Sequence, residues 1–275
     1  MDSSVDDVNK LVRVNWRGGI PLLIEGEATD FSGNVPTPVF TFASRNSYLP
    51  HALSSAISQF KPSLVIPVHL RTLWFEYGNV ALPWHYPIGV LFDLCCAQND
   101  VPFRITIHWH APPPGHKQIV CPELDFVKKD FFHWFKQGMY IRYGSRLPFT
   151  EFRDDDDDVL WDGVMGGDVD RYYAIQKRMK TYPVKAVPIR LMYLGRVVKE
   201  GKEEKVIVLC KQVSEEIETT MTTVELVKAH LPKVDFERVT VRCQGVECPQ
   251  GVSVSKLFDV LAHADLFLYI CVCEY

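Results

Sequence analysis

The chain is 275 residues long and carries 30 Lys and Arg against 34 Asp and Glu, a formal charge of −4. At roughly 100 to 200 residues per domain, that length predicts two compact units, or three with a small insert, and 47% hydrophobic residues can build their cores. Disordered and fibrous classes are excluded, and without a Lys/Arg cluster the chain lacks the electrostatic footprint of a nucleic-acid binder.

Residues 1–10, MDSSVDDVNK, are acidic and polar, without the basic start and apolar centre of a secretory signal, so a cytosolic chain is expected. Residues 20–26 read as a strand, residues 29–38 collect Gly, Asn and two Pro as a loop, and residues 39–43 read as a second strand. Leu49, Leu53, Ala56, Ile57 and Phe60 recur at helical intervals and predict one amphipathic helix that Pro62 ends. Leu73, Phe75 and Tyr77 alternate with Trp74 and Glu76 as a strand does, and Gly78 and Asn79 turn it. Pro87 suits a first helical position, followed by the stripe Ile88, Leu91, Leu94 and Cys95. The apolar stretch 86–97 is broken by Asp93 and falls short of the ~20 residues that cross a bilayer, so any membrane contact is expected to be peripheral. Residues 103–109 alternate again as a strand.

Residues 122–182 read as helical. Leu124, Val127, Phe131, Trp134, Phe135 and Gly138 cluster within about 60° of one direction at 100° per residue, an aromatic stripe for burial, with Gly138 ending that helix. The acidic run 154–158 is expected to be a solvated loop because like charges repel. A further helical stretch, 159–179, is broken at Gly166-Gly167, and Tyr182-Pro183 closes the segment.

The remainder reads as strand 187–194, strand 205–211, helix 221–231, strand 239–243, helix 254–261 and strand 266–273. This repeats the first series, each element starting about 166 residues after its counterpart, a duplication of topology rather than of sequence. Two strands, a helix across the sheet, further strands and a short second helix make the β-grasp arrangement of ubiquitin. The expected fold is therefore α+β, with two ubiquitin-like β-grasp domains (residues 1–114 with the N-terminal segment, and 185–275) flanking a helix-rich domain (115–184). The last strand runs to Cys273, Glu274 and Tyr275 without a Gly-Gly tail, so the chain is expected to accept or bind a modifier, not to be donated as one.

Enzyme signatures are missing from the sequence: there is no phosphate-binding G-x-x-x-x-G-K-[ST], no G-x-G-x-x-G, no H-E-x-x-H and no G-x-S-x-G, so no catalytic residue is assigned. The cysteines form no C-x-x-C pair, and Cys271 and Cys273 fit buried thiols on one strand side. His108 and His110 share a strand face and His116 lies nearby. Three nitrogens there would suit a metal, but no carboxylate or Cys falls at ligand spacing, and an exposed polar face is the reading adopted; no metal and no cofactor are expected. A metal-dependent hydrolase from these histidines and the aspartate run lacks ligand geometry. The run also lacks the Gly and terminal Glu of a calcium loop. Trp84, His85 and Tyr86 are read as aromatic packing at a turn. Lys129 and Lys136, seven residues apart, lie about 140° to 160° from the aromatic stripe, so either can present an amine to solvent. With an ordinary pKa near 10.4, about one lysine in 10³ is neutral at pH 7, so isopeptide formation would need a partner enzyme.

Residues 73–94, LWFEYGNVALPWHYPIGVLFDL, closely resemble the autophagy protein 5 family. Agreement continues in R-x-S-Y-L from Arg45 to Leu49, in Cys121-Pro122 followed by Lys136, in Leu160-Trp161 with Ala174-Ile175, and in Tyr182-Pro183. The resemblance implies a non-enzymatic scaffold on which the ubiquitin-like autophagy protein 12 is joined through its C-terminal glycine to a lysine, matched here by Lys136. It implies binding of the amino-terminal helix of autophagy protein 16, in a groove placed near Arg45 and Trp74. The assembly would promote transfer of the autophagy protein 8 family from its conjugating enzyme to phosphatidylethanolamine. The implied partners include the conjugating enzymes for autophagy proteins 12 and 8, and the implied location is the cytoplasm with peripheral recruitment to the phagophore membrane. The other reading is a ubiquitin-like adaptor that binds the partner helix and the modifier without a covalent link.

Overall fold

A computed structural model describes residues 3–65, 72–96, 100–112, 120–121, 124–145, 147–153, 155–179, 182–199, 202–216 and 220–274. After an N-terminal helix, α1 (Ser3–Trp16), the first sheet is built from β1 (Gly19–Gly26), β2 (Val39–Ser44), β3 (Trp74–Tyr77), β4 (Val80–Leu82) and β5 (Phe103–His108), in the order β2-β1-β5-β3-β4. β1 and β5 are parallel and the other neighbours antiparallel. Ile20, Leu22 and Ile24, alternate residues of β1, are buried on the face that two helices cover. The single helix expected over residues 49–60 is two short ones, α2 (Leu49–Ala52) and α3 (Ser54–Phe60), parted at Leu53. Gly78 and Asn79 both have positive φ, +50° and +66°, and turn β3 into β4. A strand of three residues leaves too little alternation to be read from sequence.

The helix α4 (Ile88–Cys95) explains how the domains join. Ile88 through Leu94 are all buried, so it is enclosed all round instead of along one stripe. One side covers the first sheet. The other meets the second sheet, whose Met192, Tyr269, Cys271 and Cys273 belong to the same continuous core.

The second sheet repeats the first: β6 (Ala186–Lys199), β7 (Lys202–Glu216), β8 (Val239–Cys243), β9 (Val246–Glu247) and β10 (Leu268–Glu274), in the order β7-β6-β10-β8-β9. β6 and β10 are parallel, as β1 and β5 are. Gln244 and Gly245, with φ of +51° and +80°, turn β8 into β9 as Gly78 and Asn79 turn β3 into β4. Its other face is filled from α9 (Thr223–His230) and α10 (Val254–Leu261). α9 starts on a capping box between Thr222 and Glu225. The duplication read from element spacing is present strand for strand.

In chain order, α5 (Leu124–Tyr143), α6 (Leu147–Thr150), α7 (Asp156–Gly166) and α8 (Val169–Met179) come between the two sheets. Gly167 takes the left-handed conformation, φ +67°, that ends α7. Phe131, Phe132 and Phe135 form this block's core with Leu160, Tyr172 and two residues of α1, Val12 and Trp16. The Trp16 ring packs against Tyr172, tilted by 36° with centroids 4.6 Å apart. Among the described residues, no helix is long and apolar enough to cross a membrane.

Candidate functional site

Val127, Phe131, Phe135 and Met139 recur every fourth residue along α5, and each is at most 1% exposed, so this row faces the core. Lys129, turned away from it, is exposed. Lys136 is half-buried, because the chain folds back along α5: its Nζ sits 4.1 Å from the ring centre of Phe149 on α6. The Asp157 carboxyl is also near; burial pushes it up, while the charges of Lys136 and Lys128 pull it down. Lys128 pairs with Asp158. The amine therefore emerges between an aromatic wall and the acidic start of α7. Neither Phe149 nor Asp157 could be assigned to Lys136 from spacing, since both arrive from the returning chain.

The acidic run is not a solvated loop over residues 156–158. Asp156, Asp157 and Asp158 form the first turn of α7, where the helix dipole favours negative charge. Asp156 is buried, accepts the Arg153 N–H at 2.6 Å and pairs with Arg178 at 2.6 Å. Burial alone would raise its carboxyl, but these partners together hold it below the usual carboxylate range. Asp154 lies outside the described residues.

Nor does Gly138 end the helix; α5 runs on to Tyr143. A Cβ at Gly138 would come 2.7 Å from the Asp265 carbonyl oxygen and 3.0 Å from the Leu266 Cβ, so glycine is what lets α5 dock on the second ubiquitin-like domain. Beside it, Trp134 donates to Asp130 at 2.8 Å. The buried guanidinium of Arg190 lies 4.1 Å from the Trp134 ring and 4.0 Å from the Phe267 ring, donates to the Tyr269 hydroxyl at 2.6 Å and faces Asp265 at 3.7 Å. Trp134 and Phe135 thus key the helix to its neighbours and leave the Lys136 surface clear.

Arg45 and Trp74 do not line an open groove. Arg45 is 8% exposed, paired with Asp93 and donating to the Gly89 carbonyl at 3.2 Å. Trp74 is 3% exposed, stacked flat on His108 at 3.9 Å, with its indole N–H donating to the His110 carbonyl at 3.1 Å. The sheet and the inter-domain contact cover both, and they belong to different parts of the domain. The exposed polar face expected for His108 and His110 also fails at His108, which Trp74 buries; His116 lies outside the described residues. In the aromatic turn, Tyr86 is buried and His85 lies 4.3 Å from it. Burial, aided by Arg190, lowers the His85 imidazole to about 4. An opening of about 300 Å³ lies where α1, α5, α8 and α10 meet, with Trp16, Arg142, Tyr172, Phe258 and His263 in its walls.

Three family models match the chain: autophagy protein ATG5, UblA domain, over residues 15–109; ATG5, alpha-helical bundle region, over 124–181; and ATG5, UblB domain, over 186–272. The chain is 35% identical to autophagy protein 5 of Arabidopsis thaliana, over 62% of this chain and 50% of that protein. It thus spans about half the length of the plant relatives it matches. Autophagy protein 5 of Phaeosphaeria nodorum is 24% identical, with 98% of both chains covered. The crystal structure of Kluyveromyces marxianus Atg5 superposes with a TM-score of 0.78 at 19% identity, over 96% of this chain and 99% of that one, which shows a shared fold.

Proposed function

Because the chain belongs to the autophagy protein 5 family, with both ubiquitin-like domains and the helical block of that family, we propose that it is the acceptor of a ubiquitin-like modifier, autophagy protein 12, at Lys136. The observation that carries this reading is the placement of Lys136: across α5 from the core row, half-exposed, on a helix held rigidly by Gly138 and Arg190 against the second ubiquitin-like domain. A thioester held by a conjugating enzyme would be attacked by the Lys136 amine, forming the isopeptide bond and releasing the enzyme's thiol. The enzyme must orient and deprotonate that amine. The scaffold contributes position, which raises rate by holding reactants in register.

In the same proposal the conjugate binds the amino-terminal helix of autophagy protein 16 and promotes lipidation of the autophagy protein 8 family at the phagophore membrane, the chain itself being cytoplasmic and peripherally recruited. A partner helix brings an apolar face to a groove. Arg45 and Trp74 serve here as supports beneath the surface, Arg45 by fixing the spacing of the two ubiquitin-like domains.

The test is reconstitution with the activating enzyme, the conjugating enzyme and the modifier, followed by peptide mass spectrometry. A branched peptide at Lys136 that disappears in Lys136→Arg is expected. Conjugation that persists in that variant overturns the site, and a modifier that co-purifies without any covalent link supports the adaptor reading instead.

A further inference from the structure

Folding brings together three side chains that the sequence keeps far apart. His108 ends β5, and His110 follows two residues on with its ring 5.2 Å from that of His108. Asp30, 80 residues from His110, ends a short 3₁₀ turn, Ala28–Asp30, between β1 and β2. One nitrogen from each imidazole and one Asp30 oxygen all lie within 4.8 Å of one another. Asp30 is buried and oriented: its Oδ2 accepts the Trp109 N–H at 2.9 Å, which leaves Oδ1 3.0 Å from Nδ1 of His110.

His108 supplies an independent sign. It is 5% exposed, and among the described residues neither ring nitrogen makes a close hydrogen bond; only carboxylates face them. Leaving a buried polar group without a close partner is costly. The ring cannot turn to water, because it lies flat on Trp74 at 8°. Two more carboxylates approach, Glu76 at 3.4 Å from Nε2 and Glu27 at 3.9 Å from Nδ1. The pocket thus surrounds two imidazoles with three carboxylates, Asp30, Glu27 and Glu76.

We propose that Asp30, His108 and His110 form a binding site for a divalent transition-metal ion, zinc being the best match to two imidazoles and one carboxylate. The ion would take one His108 nitrogen and clip the β1–β2 loop to the end of β5. The Trp109 N–H would orient the Asp30 carboxylate from outside the ligand set, and Glu27 and Glu76 would supply surrounding negative charge. Calcium and magnesium fit less well, since they take oxygen ligands. No carboxylate stands at ligand spacing from these histidines along the chain; Asp30 reaches the site through the parallel pairing of β1 with β5.

The full chain, stripped by chelator and dialysed, is titrated with zinc by calorimetry and with Co²⁺ by visible absorption. One equivalent of zinc should bind and raise the melting temperature, and bound Co²⁺ should show d–d bands without the near-ultraviolet thiolate charge transfer that cysteine ligation adds. His110→Ala, at a partly exposed position, and Asp30→Asn, which keeps an acceptor for Trp109, should each weaken binding at least about tenfold. Absence of saturable binding, binding unchanged in His110→Ala, or a thiolate–cobalt band in place of the expected spectrum overturns the proposal.

Discussion

Arg45, at the end of β2, and Asp93, within α4, form an ion pair with side chains only 10% and 1% exposed, and the same carboxylate accepts the Gly245 N–H of the second ubiquitin-like domain at 2.7 Å. Gly245 has a positive φ, and a Cβ there would come 2.9 Å from the Arg45 guanidinium carbon, so the hairpin turn is shaped around the pair. Burial pushes the Asp93 carboxyl up against the pull of Arg45, so the pair is costly to bury and costlier to break. Arg45→Met or Asp93→Leu alone should destabilise by about 3–5 kcal/mol, whereas the double variant should recover most of the loss, because both buried charges leave together. Urea denaturation of the four proteins measures the coupling; additive losses would show that the ion pair does not join the domains.

Gly138→Ala should destabilise although alanine is the better helix former. The helix gain is roughly 0.5–1 kcal/mol, while the clash with the Asp265 carbonyl and Leu266 forces α5 off the second domain at about 1–3 kcal/mol. A net loss of ~1–2 kcal/mol in chemical denaturation is expected; a stabilised variant would show that this contact yields easily.

Small acylating reagents should label Lys129 before Lys136 in the folded chain, the reverse of the order proposed for the enzymatic reaction. Lys129 is exposed, whereas Lys136 lies under Phe149. Phe149→Ala should raise Lys136 labelling about two- to fivefold, the equivalent of losing a ring contact worth ~0.5–1 kcal/mol. Time-resolved peptide mass spectrometry reads both sites, and equal rates in the parent would remove the proposed shielding.

His85 should make stability fall with acidification. The unfolded imidazole takes up a proton below about pH 6.5, the folded one only near its lowered value of about 4. Between these values the unfolded state binds more protons, so this contribution is intact above about pH 6.5 and is lost as pH falls toward 4, by up to ~3 kcal/mol. His263, fully enclosed and pushed down by burial, acts in the same direction. Urea midpoints between pH 7 and 4 should therefore decline less in His85→Asn than in the parent; parallel curves would assign the acid sensitivity elsewhere.

Much of the fold was legible because its units are local. Period-two alternation marked the longer strands, helical spacing marked α9 and α10, and the recurrence of the same series exposed the duplication. Two strands escaped, β4 with three residues and β9 with two, since so short a run has no measurable period. The helix α1 carries no comparable mark, because Val12 and Trp16 reveal their role only once they reach the aromatic core of another domain.

By itself, the sequence determined that an α5 row of apolar residues faces inward and that Lys129 and Lys136 lie across the helix from it, because helical geometry ties face to spacing. It determined the β-grasp series twice over for the same reason: alternation and turn residues act between near neighbours. Tertiary structure alone decided that Phe149 shelters Lys136, that Arg45 and Asp93 hold two domains together, and that Asp30 meets His108 and His110. Those contacts join residues from elements that meet only after the sheets and helices have assembled, and no periodicity along a chain encodes which distant side chains will share a buried, poorly solvated space.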